Sequence, residues 1–159
     1  SYAYCLATNP QTRSELWGNV PDALRPAYTT SMLLATVGYF AFSYFVLLRI
    51  DSQQARIAGT YGYRLFPWIY AGVLAPSALW MPLTFAMIAH PSAGLWVMVR
   101  LVLAVVGIGS IGLLAALLAL TPDTPAWAYR AAVAGCALFC LQTSLLDALV
   151  WTAYFPFRL

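Results

Sequence analysis

Apolar and polar positions along this chain alternate on the scale of whole segments rather than single turns. Four stretches, about 27–48, 66–89, 95–120 and 127–155, are strongly apolar, and each reaches the ~20 residues a helix needs to cross a hydrocarbon layer. A backbone in lipid has no water to bond, so it must pair its own N–H and C=O groups, as a helix of that length does. The pattern therefore predicts four transmembrane helices. Between them lie a polar hairpin through Gln53, Gln54, Arg56, Gly59 and Gly62, a turn at His90, Pro91, Ser92 and Gly94, and a second turn at Thr121, Pro122, Asp123, Thr124 and Pro125. Connections this short force antiparallel neighbours. The expected fold class is an all-α integral membrane protein: a four-helix transmembrane bundle over 27–159, preceded by an extramembrane interfacial arm over 1–26.

The arm is expected from its mixture of residues. Arg13, Glu15, Asp22 and Arg25 accompany Trp17 and the turn formers Gly18, Asn19 and Pro21, which suits a segment at the membrane interface, where an indole ring sinks while its N–H stays wet. Ser14 or Thr12 would cap a short helix there. Residues 1–9 have no basic stretch followed by an apolar one, so they do not read as a signal peptide. A start at Ser1 rather than at methionine is what removal of a leader, or trimming, would leave.

Within the spans, the first carries Tyr39, Phe40, Phe42, Tyr44 and Phe45, too many aromatics for one narrow stripe, so they should cover both a helix seam and an outer face. The second contains Pro67, Pro76 and Pro82. Pro67 fits a first helical turn, whereas the other two delete backbone hydrogen bonds inside the membrane, and Ser77 and Thr84 stand close enough to serve the freed carbonyls. The third span is the most uniformly apolar. The fourth ends at Pro156.

Composition agrees with lipid as the solvent: 62% of residues are hydrophobic and only 8% charged, against roughly a quarter charged in a soluble domain. All eight basic residues are arginine, which reads as a codon-composition bias. The net charge of +3 is dispersed, with no basic stripe to displace counterions from a phosphate backbone, so nucleic acid is not an expected partner. Arginines do not orient the bundle. Arg13, Arg25, Arg100 and Arg158 fall on one side and Arg49, Arg56, Arg64 and Arg130 on the other, a tie under the positive-inside rule, with a lean of the first connection towards the more negative compartment. Of the three cysteines, Cys136 and Cys140 are four apart; helical neighbours at that spacing sit ~5–6 Å apart, too far for a disulfide, and they read as small core residues.

Few residues offer chemistry. Gly107, Gly109 and Gly112 match G-x-G-x-x-G, but that fingerprint binds a dinucleotide only after a strand; mid-membrane, these glycines with Ala116 predict a helix-packing face. Asp147 is the one acid inside an apolar span, where a charge costs about 3 kcal/mol unless protonated or paired, so it should face inward. Arg100, at similar depth on the same side, is its expected ion-pair partner. Gln142, Thr143 and Ser144 are expected to hold helices together. His90 is a candidate axial ligand for a tetrapyrrole metal, although a single histidine beside a proline in an interfacial turn is more often a solvated or headgroup-contacting residue. With a single histidine there is no base to activate a serine or cysteine, so no catalytic site is expected.

Two further stretches carry a family resemblance. Trp80-Met81-Pro82-Leu83-Thr84-Phe85 resembles the W-x-P motif with following aromatics of the translocator protein family, the tryptophan-rich sensory proteins, and Val150-Trp151-Thr152-Ala153-Tyr154-Phe155-Pro156-Phe157-Arg158 resembles the cholesterol pattern closing that family's last helix. The likeness aligns the four spans with the last four of the family's five helices. It implies a pocket for a porphyrin, a sterol or another apolar ligand, built from Tyr39, Trp80, Pro82, Phe85, Trp151, Tyr154 and Arg158, and left open on one side because residues 1–20 are too polar to replace the missing helix.

Two functional readings follow. The first is a non-catalytic accessory subunit of a larger photosynthetic or respiratory membrane complex, in which lipids, carotenoid or a tetrapyrrole (chlorophyll or haem) and neighbouring subunits cover the aromatic faces; 15% aromatic content suits broad apolar contact. The second is a stand-alone translocator-like protein with an intramembrane ligand pocket. The candidate locations are a thylakoid, mitochondrial inner or bacterial inner membrane.

Overall fold

The computed structural model describes residues 2–155. A short helix α1 (Tyr2–Thr8) and two single turns of 3₁₀ helix (Arg13–Trp17, Asp22–Leu24) precede α2 (Arg25–Leu48), α3 (Leu65–Ala89), α4 (Ala93–Leu118) and a last helix that begins as α5 (Ala126–Cys140), continues as a π-helical segment (Leu141–Trp151) and closes with a turn at Thr152–Tyr154. The protein is an all-α integral membrane bundle with four helices long and apolar enough to span a bilayer. The shortest, α2, has 24 residues, or about 36 Å at 1.5 Å per residue, more than the ~30 Å of a hydrocarbon core.

The radial distribution of side chains is that of a lipid-soluble body. Leu33, Val37, Phe40, Leu48, Leu101 and Ile108 are exposed, while Thr84, Ser110, Gln142, Thr143 and Thr152 are buried. Outside water, an apolar exterior costs nothing and polar side chains gain by bonding between helices. Ser110 illustrates this: it accepts from Thr143 at 2.7 Å, contacts the Ser144 hydroxyl at 3.2 Å and donates to its own helix at Gly107 O.

At one end, β1 (Arg56–Ile57) pairs antiparallel with both β2 (Tyr61–Gly62) and β3 (Leu120–Thr121). The predicted hairpin and the turn before α5 thus share a three-stranded sheet, which fixes both connections at the same end of the bundle. The β1–β2 loop holds Ala58 and Gly59 at positive φ, 51° and 71°, a conformation glycine adopts freely and alanine rarely. Beneath the sheet lies the larger core cluster, with Phe42, Phe45, Phe66, Leu113, Leu117 and Ala132 at its centre.

Helix order around the bundle is not the order along the chain. The chief partner of α2 is α5, and α3 packs along α4, which also packs on the last helix. The α2–α5 seam is set by Gly38 and Gly135, which face each other so closely that a Cβ on Gly135 would stand 2.7 Å from Gly38 O. Of the glycines expected to pack, Gly107 lies against Ser144 Cα and Gly109 against Val73, where added Cβ atoms would come to 3.2 and 2.7 Å. Ala116 is buried. Gly112 corrects the expectation: nothing lies within 4 Å of where its Cβ would be, because the G-x-G-x-x-G spacing does not keep all three glycines on one helix face. Thr84 donates to Trp80 O at 2.8 Å, four residues back, rather than to the Ala78 carbonyl that Pro82 frees. Helix α3 nonetheless runs unbroken through Pro76 and Pro82.

Candidate intramembrane site

Helices α2 and α3 meet near the sheet, where Phe42 and Tyr70 pack edge-on and the Tyr70 hydroxyl donates to Ser43 Oγ at 3.2 Å. Towards the opposite end the space between them is a cavity of about 560 Å³, within the range of small-molecule sites. Every spanning helix lines it: Tyr28 and Tyr39 from α2, Ser77 and Trp80 from α3, Leu103 and Val106 from α4, Phe139 from α5, and Gln142, Thr143, Asp147 and Trp151 from the π segment. Met32 and Thr36 line it as well and are exposed, so the space reaches the outer surface beside α2.

The arm supplies the remaining wall. Leu6, Leu16 and Trp17 face the cavity. Cys5, Leu6 and Leu16 pack with Met81 and Phe85 of α3, the Trp151 indole donates to Leu16 O at 2.8 Å, and Asn19 N donates to Tyr154 O at 2.9 Å. The arm is therefore folded onto α3 and the last helix. Its polar residues hid this from the sequence, in which Leu6, Leu16 and Trp17 are too widely spaced to form a stripe. Thr12 does take the N-cap position of the first 3₁₀ turn, but through its carbonyl, which accepts from Glu15 N, and not through its side chain.

The polar end of the cavity depends on helix winding. In an α-helix of 3.6 residues per turn, residues five apart point in different directions. A π-helix closes its bonds from i to i+5 and brings such residues together. Accordingly Gln142 Nε2 donates to Asp147 Oδ1 at 2.8 Å. Gln142 is 5% exposed, and its Oε1 is buried without a hydrogen-bond partner among the described residues. Nearby, the Tyr28 hydroxyl donates to Leu146 O at 2.7 Å.

The expected Arg100–Asp147 ion pair does not form. Arg100 donates to Thr152 O at 2.5 Å and its guanidinium lies 3.8 Å from the centre of the Trp96 ring, so its donors are directed at the end of the last helix and its flat face at an indole. Among the described residues the salt bridge present is Arg25–Asp22, at 2.8 Å. Asp147 faces inward, as expected, but with Gln142 as its partner.

Of the residues proposed for a pocket, Tyr39, Trp80 and Trp151 come together in the cavity, with Trp80 and Trp151 edge-to-face at 5.6 Å. Three do not line it: Pro82 is exposed on α3, Phe85 is buried under α1, and Tyr154 lies beyond Trp151, partly buried, with its carbonyl bonded to the arm. The alternation of faces along α3 explains the first two, since Trp80 and residues two and five further on cannot share one side of a helix. Arg158 lies outside the described residues. His90, at the end of α3, is exposed and away from the cavity, so the one imidazole is not presented to a ligand there. Tyr28 and Phe139 are cavity residues that the sequence did not single out, and Trp17 and Gln142, expected at the membrane interface and between helices, line the cavity as well; only an anticipated π segment would have paired Gln142 with Asp147. Comparison of the chain with family models, curated proteins and solved structures finds no match.

Proposed function

We propose that this protein binds an apolar small molecule within the membrane, in the cavity between α2 and α3, and that the ligand enters laterally from lipid. The observation that carries the reading is the cavity itself: about 560 Å³ walled by Trp17, Tyr28, Tyr39, Trp80, Phe139 and Trp151. Aromatic rings offer large rigid apolar contact, and a few placed polar groups at one end would orient what they hold. A sterol or a porphyrin is an apposite first probe, by the resemblance of residues 80–85 and 150–158 to the translocator motifs. The alternative, an accessory subunit whose outer aromatics meet pigments or neighbouring subunits, draws support from exposed Phe40, Tyr44, Trp68 and Trp127. Trp68 and Trp127 stand at helix starts beside the sheet, however, where an interfacial aromatic belt accounts for them.

The test is titration of the purified protein in lipid nanodiscs with a porphyrin and with a fluorescent sterol, read by quenching of tryptophan emission and by energy transfer. Saturable one-to-one binding that weakens at least tenfold in Ser77→Phe, which fills the cavity from α3, supports the pocket. Absence of saturable binding, with the protein recovered from native membranes only inside a large complex, favours the subunit.

A further inference from the structure

Resting on that reading, we propose that the ligand is a cationic amphiphile: an apolar body carrying a protonated amine whose N–H groups dock on Asp147 and Gln142. Three features of the cavity converge on a positive head that donates hydrogen bonds. The first is a carboxylate in a spanning helix that has no cation partner among the described residues. Among the described residues Asp147 is hydrogen-bonded by Gln142 alone, while Arg100 is committed to Thr152 O and Trp96, and Arg25 to Asp22. A charged acid at membrane depth is costly unless paired, and the cavity is the side from which a partner could come.

The second feature is Gln142 Oε1, an acceptor buried in the cavity wall and left unbonded while the amide nitrogen of the same side chain holds Asp147. A buried carbonyl-type oxygen without a donor is destabilising. With Asp147 it makes a pair of adjacent acceptors. A single hydroxyl has one proton and could serve only one of them; a primary or secondary ammonium has at least two. The third feature is the surrounding ring faces and edges: Trp80 lies edge-on to Trp151, and Tyr28 packs edge-on to Trp17 with centroids 6.1 Å apart, the Trp17 ring itself lying 5.7 Å from the Arg25 guanidinium. Indole and phenol rings stabilise a desolvated ammonium through their negative faces. The apolar body would extend along Leu103, Val106 and Phe139 towards Tyr39.

The probes are three dansyl-pentyl compounds with one fluorescent body: the primary amine, its uncharged N-acetyl form and its trimethylammonium form. Each is titrated into protein-containing and empty nanodiscs. The amine should bind at least tenfold more tightly than the acetyl form, with the trimethylammonium between them because it keeps charge but offers no N–H. Asp147→Asn, nearly isosteric, should bring the amine to within about threefold of the acetyl form measured on the same variant. Gln142→Leu should narrow the preference for amine over trimethylammonium without abolishing it, because Asp147 still accepts an N–H; an unchanged helical circular dichroism spectrum and elution volume establish that both variants are folded. Equal affinity for all three probes, or an amine preference that survives Asp147→Asn, overturns the cationic head and leaves the ligand pocket standing. Saturable binding of none of the probes, nor of sterol or porphyrin, overturns the pocket and the proposal with it.

Discussion

The two faces of α2 are built on opposite principles. Against α5 it is closed by backbone: Gly38 and Gly135 meet with no side chain between them, and Phe45, Ala132 and Cys136 are buried in the surrounding core. Against α3 it is held near the sheet by Phe42, Ser43 and Tyr70 and then separated by a cavity. In a bilayer, where no hydrophobic force pulls helices together, close packing and interhelical hydrogen bonds do that work. The seam that lacks them needs something else to close it, and here the arm does so. A rigid seam beside an open one is also the arrangement that the proposed lateral entry of a ligand would need if the bundle is not to come apart.

The largest effect should come from forcing the closed seam open. Gly38→Leu sets a branched side chain against the Gly135 backbone, with no flexible neighbour to give way, and overpacking of this kind costs about 3 kcal/mol or more. We expect loss of the monodisperse folded protein, or a severe drop in its thermal midpoint in detergent. Gly112→Ala, which has open space at its Cβ, is the control and should cause no loss. A well-behaved Gly38→Leu protein would mean that α2 and α5 are not held by this crossing.

The seams also explain what could be read in the sequence. The spans were legible to within a few residues because bilayer thickness writes a length into each apolar stretch: 66–89 was expected and Leu65–Ala89 is found. A glycine run within one helix was visible as well. Gly38 and Gly135 were not, because each stands alone in its own helix and acquires meaning only when the two cross. Asp147 was legible as an inward-facing acid, but its partner was not, since reading the last span as an ordinary α-helix sets Gln142 off to another side. The cavity wall from the arm was invisible for the same reason as the glycine crossing: Leu6, Leu16 and Trp17 converge only after folding.

A smaller effect tests the open side. Trp151→Phe keeps a ring beside Trp80 but removes the bond to Leu16 O, a loss of about 1 kcal/mol, which should raise the open fraction of the arm roughly fivefold. Cys5 reports this directly, being buried where the arm meets Met81 and Phe85. Its labelling by a thiol reagent, located by mass spectrometry, should speed up about fivefold in the variant, while Cys136, buried in the closed seam, should keep its rate. Equal rates at Cys5 in both proteins would show that the arm is fastened elsewhere.

The smallest expected quantity is a coupling, and it separates two accounts of the polar end of the bundle. If Arg100 neutralised Asp147, removing either would expose the other, and the double variant would cost far less than the sum of the singles. In the structure the two side chains serve different elements: Arg100 ties α4 to the end of the last helix through Thr152 O and stacks on Trp96, whereas Asp147 is held within the π segment by Gln142. Residues without a shared partner have nearly additive effects. Arg100→Leu, Asp147→Asn and the double variant, compared by reversible unfolding in mixed micelles, should therefore be additive to within about 0.5 kcal/mol. A coupling well above that would restore the ion pair, supply Asp147 with an internal cation, and remove the ground for proposing that the cavity takes one from outside.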